Sequence, residues 1–302
     1  MRRSSEALDM RVLSDSVTAG GENLAMITTL TVRQAFGATQ LVGTIDKPYL
    51  FLKEISSNGN TQTVDVVFPM HPILLYTNPR LLKLLLDPLY EQQESGHWPH
   101  KFAIHDLGYH YPNFTGHANG ESEEMPVEEC GNMIIMTAAY AKWSKDYDYL
   151  NKHYPILQQW TQFLINDSLI PANQLSTDDF AGKLVNQTNL ALKGIIGIKA
   201  MAMIADNLNR PNDRDLYNSY AQNYIQLWQS YGIAHGSNPP HTSLNYGNDN
   251  THGLLYNLWS DTELGLNLVP DSVYTMQSKF YQTQRNKYGV PLDTRHTWTK
   301  SE

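Results

Sequence analysis

Apolar residues at Leu24, Ile27 and Leu30, followed by a cluster over 32–36, repeat every three to four positions and predict a helix over 22–40. The rhythm then changes. Two short β-prone runs, 49–54 and 63–68, flank a Ser, Asn and Gly cluster at 56–60, which predicts a small β-hairpin on the amino-terminal side. Asn78 followed by Pro79 opens the next helix, because proline fits a helix's first turn, and this helix runs to about 94. From 124 onward the pattern is helix after helix, over 126–143, 147–164, 188–208, 213–231, 253–266 and 271–288.

Two kinds of helix alternate. The run 189–204 is apolar nearly all round and rich in Ala and Gly, small enough to let neighbouring helices approach, and reads as an inner helix. The run 213–231 sets Leu216, Tyr220, Tyr224 and Leu227 on one face against Asn and Gln on the other, and reads as an outer helix. Inner and outer helices joined as hairpins predict a double-layered ring or a helical bundle. About eight helices, or four hairpins, are legible by period.

The polar stretch 105–124 has no apolar period and exceeds ordinary connection length, which marks a functional loop. It carries His105, Asp106, His110 and His117 and runs into Pro126, which places Glu128 and Glu129 in the first turn of a helix. Carboxylates there feel the positive end of the helix dipole. One of them is expected to stay ionised, fit to activate water or bind a cationic amine; the bland alternative is a helix-start glutamate that satisfies backbone donors. Successive helical residues diverge by ~100°, so only one is expected to face a pocket.

Two further clusters carry chemistry. Asp178 and Asp179, in the loop 175–182, suit an acid or base opposite a glutamate, or equally turn and cap formation. Near the carboxyl end, Arg295 suits a bidentate clamp on a substrate carboxylate and His296 a proton shuttle, with a structural Asp293–Arg295 pair as the alternative. Trp98 and Trp259 fit a core or a sugar-stacking platform. No metal ligand set is read: His105, His110 and His117 lack a spacing such as HExxH, and no cofactor is implied. Phosphate loops, a GxSxG elbow and a catalytic cysteine pattern are likewise not found.

Composition narrows the partners. The 302 residues, 41% hydrophobic, are enough for a core, and 22 basic against 30 acidic residues argue against nucleic acid. The longest apolar run, 190–205, holds Lys193 and Lys199 and falls short of the ~20 residues that span a bilayer, so a buried helix and no membrane are expected. Cys130 is the single cysteine, which excludes an internal disulfide. No export signal is legible at the amino terminus; glycosylation acceptors occur at Asn113, Asn166 and Asn186. A small-molecule substrate remains the expected partner, with the oligomeric state open.

The motifs HDLG at 105–108, YPNFTG at 111–116, MPVEECGNM at 125–133, ANQLSTDDFAG at 172–182, NLVP at 267–270 and YGVPLDTRH at 288–296 together resemble the fungal glutaminase A family. The resemblance spans most of the chain in order. It implies an all-α fold similar to six-hairpin glycosidases, an (α/α) toroid with its active site in the central funnel. It also implies secretion and hydrolysis of L-glutamine to glutamate and ammonia. The family continues beyond both ends of this sequence, so the expectation is a single domain, 1–302, forming a partial toroid. Within it, Glu128 or Glu129 activates water, Asp106 or Asp178 (with Asp179 beside it) protonates the leaving ammonia, and His105, Arg295 and His296 bind substrate. A six-hairpin glycoside hydrolase and a non-catalytic remnant are the alternatives.

Overall fold

The computed structural model describes residues 2–54, 58–109 and 114–296. Helix α1 (Arg2–Gly37) is broken at Gly21, whose φ of 80° suits a residue without Cβ, so the helix predicted over 22–40 is its second half. Strands β1 (Thr39–Gly43) and β2 (Pro48–Leu52) pair antiparallel, Thr39 opposite Leu52. The predicted hairpin therefore exists one strand early, and the run 63–68 is not a strand.

That run opens α2 (Val64–Thr77), where Val64, Val67, His71, Leu74 and Leu75 share a buried helical face. Their burial outweighs the β preference of the valines and phenylalanine, since strand propensity largely reflects packing context. Pro72 has no N–H for the Phe68 carbonyl, and the His71 ring takes that acceptor through Nδ1. Its Nε2 then lies 2.9 Å from Glu263.

Helices α3 (Pro79–Glu94), α4 (Pro126–Ser144), α5 (Tyr147–Asp167), α6 (Thr188–Asn207) and α7 (Pro211–Gly232) lie close to their predicted spans. The short strands β3 (Ile233–Ala234) and β4 (His241–Thr242) form a second antiparallel pair. Two predicted helices are cut down. Helix α8 (Leu258–Leu264) starts late because Leu254 donates to the Leu292 carbonyl at 2.8 Å in an extended contact. Helix α9 (Asp271–Gln284) ends early because Asn286 and Gly289 close a tight turn.

Three helix pairs, α2–α3, α4–α5 and α6–α7, are joined by short links and pack within each pair, so the described chain is mostly helical with small β-hairpins. Helix α6 is the hub, against α4, α5 and α7. Glycine makes this possible: a Cβ on Gly197 would stand 3.2 Å from Cα of Gly131 in α4, and one on Gly194 2.3 Å from Cβ of Ser168. By composition α6 is long and apolar enough to cross a bilayer, yet 89% of that window is buried in the fold. The face of α7 is one position off the prediction. Tyr217, Ala221, Ile225 and Trp228 are buried while Leu216 is exposed.

Candidate active site

Four elements bring one wall of buried polar side chains together. The extended segment 105–108 runs beside 61–64, with Leu107 donating to the Thr61 carbonyl at 2.9 Å and Val64 to the His105 carbonyl at 2.8 Å. These bonds set His105 and Asp106 against Asp65 in the first turn of α2. Helix α4 contributes Glu128, Glu129 and Asn132; its cap residue Met125 has no side-chain acceptor, and Gln174 Oε1 receives the Val127 N–H instead, at 3.0 Å. Helix α6 contributes Lys193, which is 1% exposed in an otherwise apolar helix.

Lys193 donates to Asn132 Oδ1 at 2.7 Å, lies 3.4 Å from Glu128 Oε1 and rests over the Phe68 ring. Asn132 in turn donates to Glu129 Oε2 at 3.0 Å. Both glutamates are buried and belong to this wall, but they diverge as helical geometry requires: Glu128 goes to Lys193, Glu129 toward Asp65 and His105. One oxygen of each, Glu128 Oε2 and Glu129 Oε1, has no hydrogen-bond donor, and neither has Asp65 Oδ1.

Burial dominates the electrostatics. It pushes Asp65 up to about 6, against the opposing pull of His105. It also drives Glu129 well above the usual carboxylate range, aided by Asp65 and Glu128. For Glu129 the helix dipole expected to keep it ionised is thus overruled, since desolvation of a wholly buried charge exceeds a dipole effect of about 1 kcal/mol. Lys193 is lowered by burial despite its acidic neighbours. Asp106 behaves oppositely: burial opposes ionisation, but hydrogen bonds from His105 Nδ1 (2.7 Å) and His117 Nε2 (2.8 Å) hold it below the ordinary range. His105 is raised: burial lowers it, but Asp106 and Asp65 prevail.

Asp178 and Asp179 follow Thr177, whose side chain bonds Asp65, so their loop adjoins this wall. Asp178 is buried and accepts from Tyr256 Oη at 2.7 Å, whereas Asp179 is exposed and accepts from the Phe180 N–H at 2.6 Å within a short 3-10 turn (Asp179–Ala181). Arg295 gives Nη2 and Nε to Asp293 Oδ2, at 2.6 and 3.0 Å, and Nη1 to the Ala181 carbonyl at 3.1 Å. His296 faces Asp293 at 3.3 Å and packs edge-on against Phe180. This cluster latches the carboxyl end onto the loop 178–182. Trp98 is buried and donates to the Phe102 carbonyl, a core role, while Trp259 is half exposed against His71. His110, Asn113 and Trp298 lie outside the described residues.

Asp65, Asn132 and Lys193 escape the sequence reading. Asp65 hides in a run that reads as a strand. Lys193 was legible, with Lys199, as a charge in an apolar run, but only the fold shows what it meets.

The described residues thus form a mostly helical hairpin fold with carboxylates, a lysine and a histidine buried on one wall. A family profile described as the Glutaminase A six helical-hairpin domain matches residues 21–302, and the chain belongs to that family. Glutaminase A of Aspergillus oryzae is 62% identical over 298 residues, covering 99% of this chain and 43% of the relative. A probable glutaminase of Arthroderma benhamiae is 38% identical over 371 residues, covering 95% of this chain and 43% of the relative. The chain thus spans less than half the length of these curated relatives.

Proposed function

We propose that this chain supplies the catalytic wall of an amidohydrolase that splits L-glutamine into L-glutamate and ammonia. The observation that carries this reading is the 62% identity to a glutaminase A over 298 residues, 99% of the chain. Glu128 is the base. Its Oε1 faces the Lys193 ammonium and its Oε2 is free to accept a proton from water attacking the side-chain amide carbon. The same carboxyl then returns that proton to the departing nitrogen. Asp106, held ionised by two histidines, positions His105 rather than donating. The reading also takes the helix pairs as part of an α/α toroid and the protein as secreted; an exposed Asn166 at a glycosylation acceptor supports the latter.

The test is ammonia release from L-glutamine by the purified chain, with maltooligosaccharides as the competing substrate class. Glu128→Gln is expected to lower kcat by about 10³-fold with the circular dichroism spectrum unchanged. A folded chain that releases no ammonia, or a Glu128→Gln variant at full rate, overturns the proposal.

A further inference from the structure

We propose that Asp65, His105 and Glu129 form a binding site for one divalent transition-metal ion of the Mn²⁺ or Zn²⁺ type. The site shares the buried wall with Glu128 but does not depend on which substrate is hydrolysed. Each of the three residues offers one ligand atom, and these atoms all lie within 4.8 Å of one another. They come from three separate places: the first turn of α2, the segment 105–108 and the first turn of α4. All three side chains are buried, at 8%, 4% and 0% exposure.

The acceptors outnumber the donors. Asp65 Oδ1 and Glu129 Oε1 are buried and receive no hydrogen bond. A buried carboxylate oxygen without a donor is costly unless a cation lies against it. Lys193 cannot serve both, because its ammonium is committed to Asn132 Oδ1 and faces Glu128. Asp65, Glu128 and Glu129 set three carboxyl groups around a single buried ammonium, and a cation would take the oxygens that Lys193 leaves without a donor.

The histidine is arranged as a ligand. Its Nδ1 donates to Asp106 Oδ2 at 2.7 Å, and the other oxygen of Asp106 is fixed by the Gly108 N–H and by His117 Nε2 at 2.8 Å. With the proton on Nδ1, the Nε2 lone pair faces Asp65 Oδ1 at 3.6 Å, beyond hydrogen-bond reach. A carboxylate behind a histidine, with the far nitrogen turned toward other carboxylates, is the arrangement that orients metal-bound imidazoles. One imidazole with two carboxylates suits Mn²⁺, Fe²⁺ or Zn²⁺ better than Mg²⁺ or Ca²⁺, which favour all-oxygen sets. Binding draws the ligand atoms to about 3 Å apart, given metal–ligand distances near 2.1 Å. Glu123, partly exposed and with Oε2 4.0 Å from His105 Nε2, stands at the rim to add a fourth ligand.

The test uses the full chain, stripped with a chelator and then dialysed against MnCl₂ or ZnCl₂ without glutamine. One equivalent of metal is expected per chain, with Tm raised by about 5 °C at a hundredfold excess over Kd. Asp65→Asn, His105→Gln and Glu129→Gln should each lose the equivalent and the shift. Pulsed EPR of the Mn²⁺ form should show nitrogen coupling that changes on ¹⁵N-histidine labelling, a readout that needs no variant to fold. Absence of bound metal, of nitrogen coupling, or of any effect in all three folded variants overturns the site. A chain that binds metal but leaves glutamine intact defeats only the hydrolytic reading; one that hydrolyses glutamine and binds no metal defeats only this one.

Discussion

Two clusters in this protein combine carboxylates with a buried or half-buried cation, and they differ in saturation. Around Arg295, the carboxylate of Asp293 is bonded by the guanidinium and by the Arg295 N–H, and a further guanidinium nitrogen ties down Ala181. Around Lys193, three carboxylates compete for a single ammonium, and each keeps an oxygen without a donor. A saturated cluster has nothing left to offer a ligand and holds chain segments together. An unsaturated one stores a desolvation cost that a substrate, ion or proton can relieve. The difference separates a latch from an unsaturated wall.

The comparison breaks most easily at Lys193. Lys193→Met strands Glu128 as an unpaired buried carboxylate, and a loss of about 3–5 kcal/mol is expected in urea unfolding. Adding Glu128→Gln to that variant should recover most of it; a single-variant loss under about 1 kcal/mol would show that the pair is not a coupled ion pair. At the latch, Arg295→Met should cost about 2 kcal/mol, the scale of charged hydrogen bonds, while KM for glutamine changes less than about threefold. A KM rise of about a hundredfold would restore Arg295 as the substrate clamp that its position in the sequence suggested.

A buried histidine adds its own pH dependence. His153 stacks on Tyr90, donates Nδ1–H to the exposed Glu94 at 2.6 Å and leaves Nε2 unpartnered. Burial, with the charges of Lys152 and Lys83 beside it, lowers it to about 3. The folded state therefore binds fewer protons than the unfolded state, so this contribution is complete above about pH 6.5 and is lost as pH falls toward 3, by up to about 1.4 kcal/mol per unit. Stability against pH for His153→Gln should be flatter across that window; an unchanged slope would assign the acid sensitivity to the carboxylate clusters. The smallest effect is expected at Asp179, exposed on its turn: Asp179→Asn should leave kcat within about twofold, and a larger fall in ammonia release would move the turn into the reactive wall.

Much of the fold was legible because long helices announce themselves by period. The spans of α3 to α7 follow from apolar spacing, from Pro at first turns and from the Gly and Ala content of α6. The misread segment, α2, carries β-prone residues whose burial on a helical face only the packing reveals. The buried polar wall was half legible. The residues from His105 to Glu129 stood out by carboxylate content, and Glu128 and Glu129 do lie on one wall. Arg295 and Asp179 look as reactive in one dimension but are turned to backbone and neighbouring side chains.

By itself the sequence determined the helical class, the inner character of α6 and the first-turn placement of Glu128 and Glu129, because each depends on residues within a few positions of one another. The tertiary structure decided which charges are buried together. Asp65, His105, Glu129 and Lys193 are brought together by packing α2, α4 and α6 around glycines that allow close approach. Their charge states follow from the water this packing excludes, a property that no stretch of sequence carries alone.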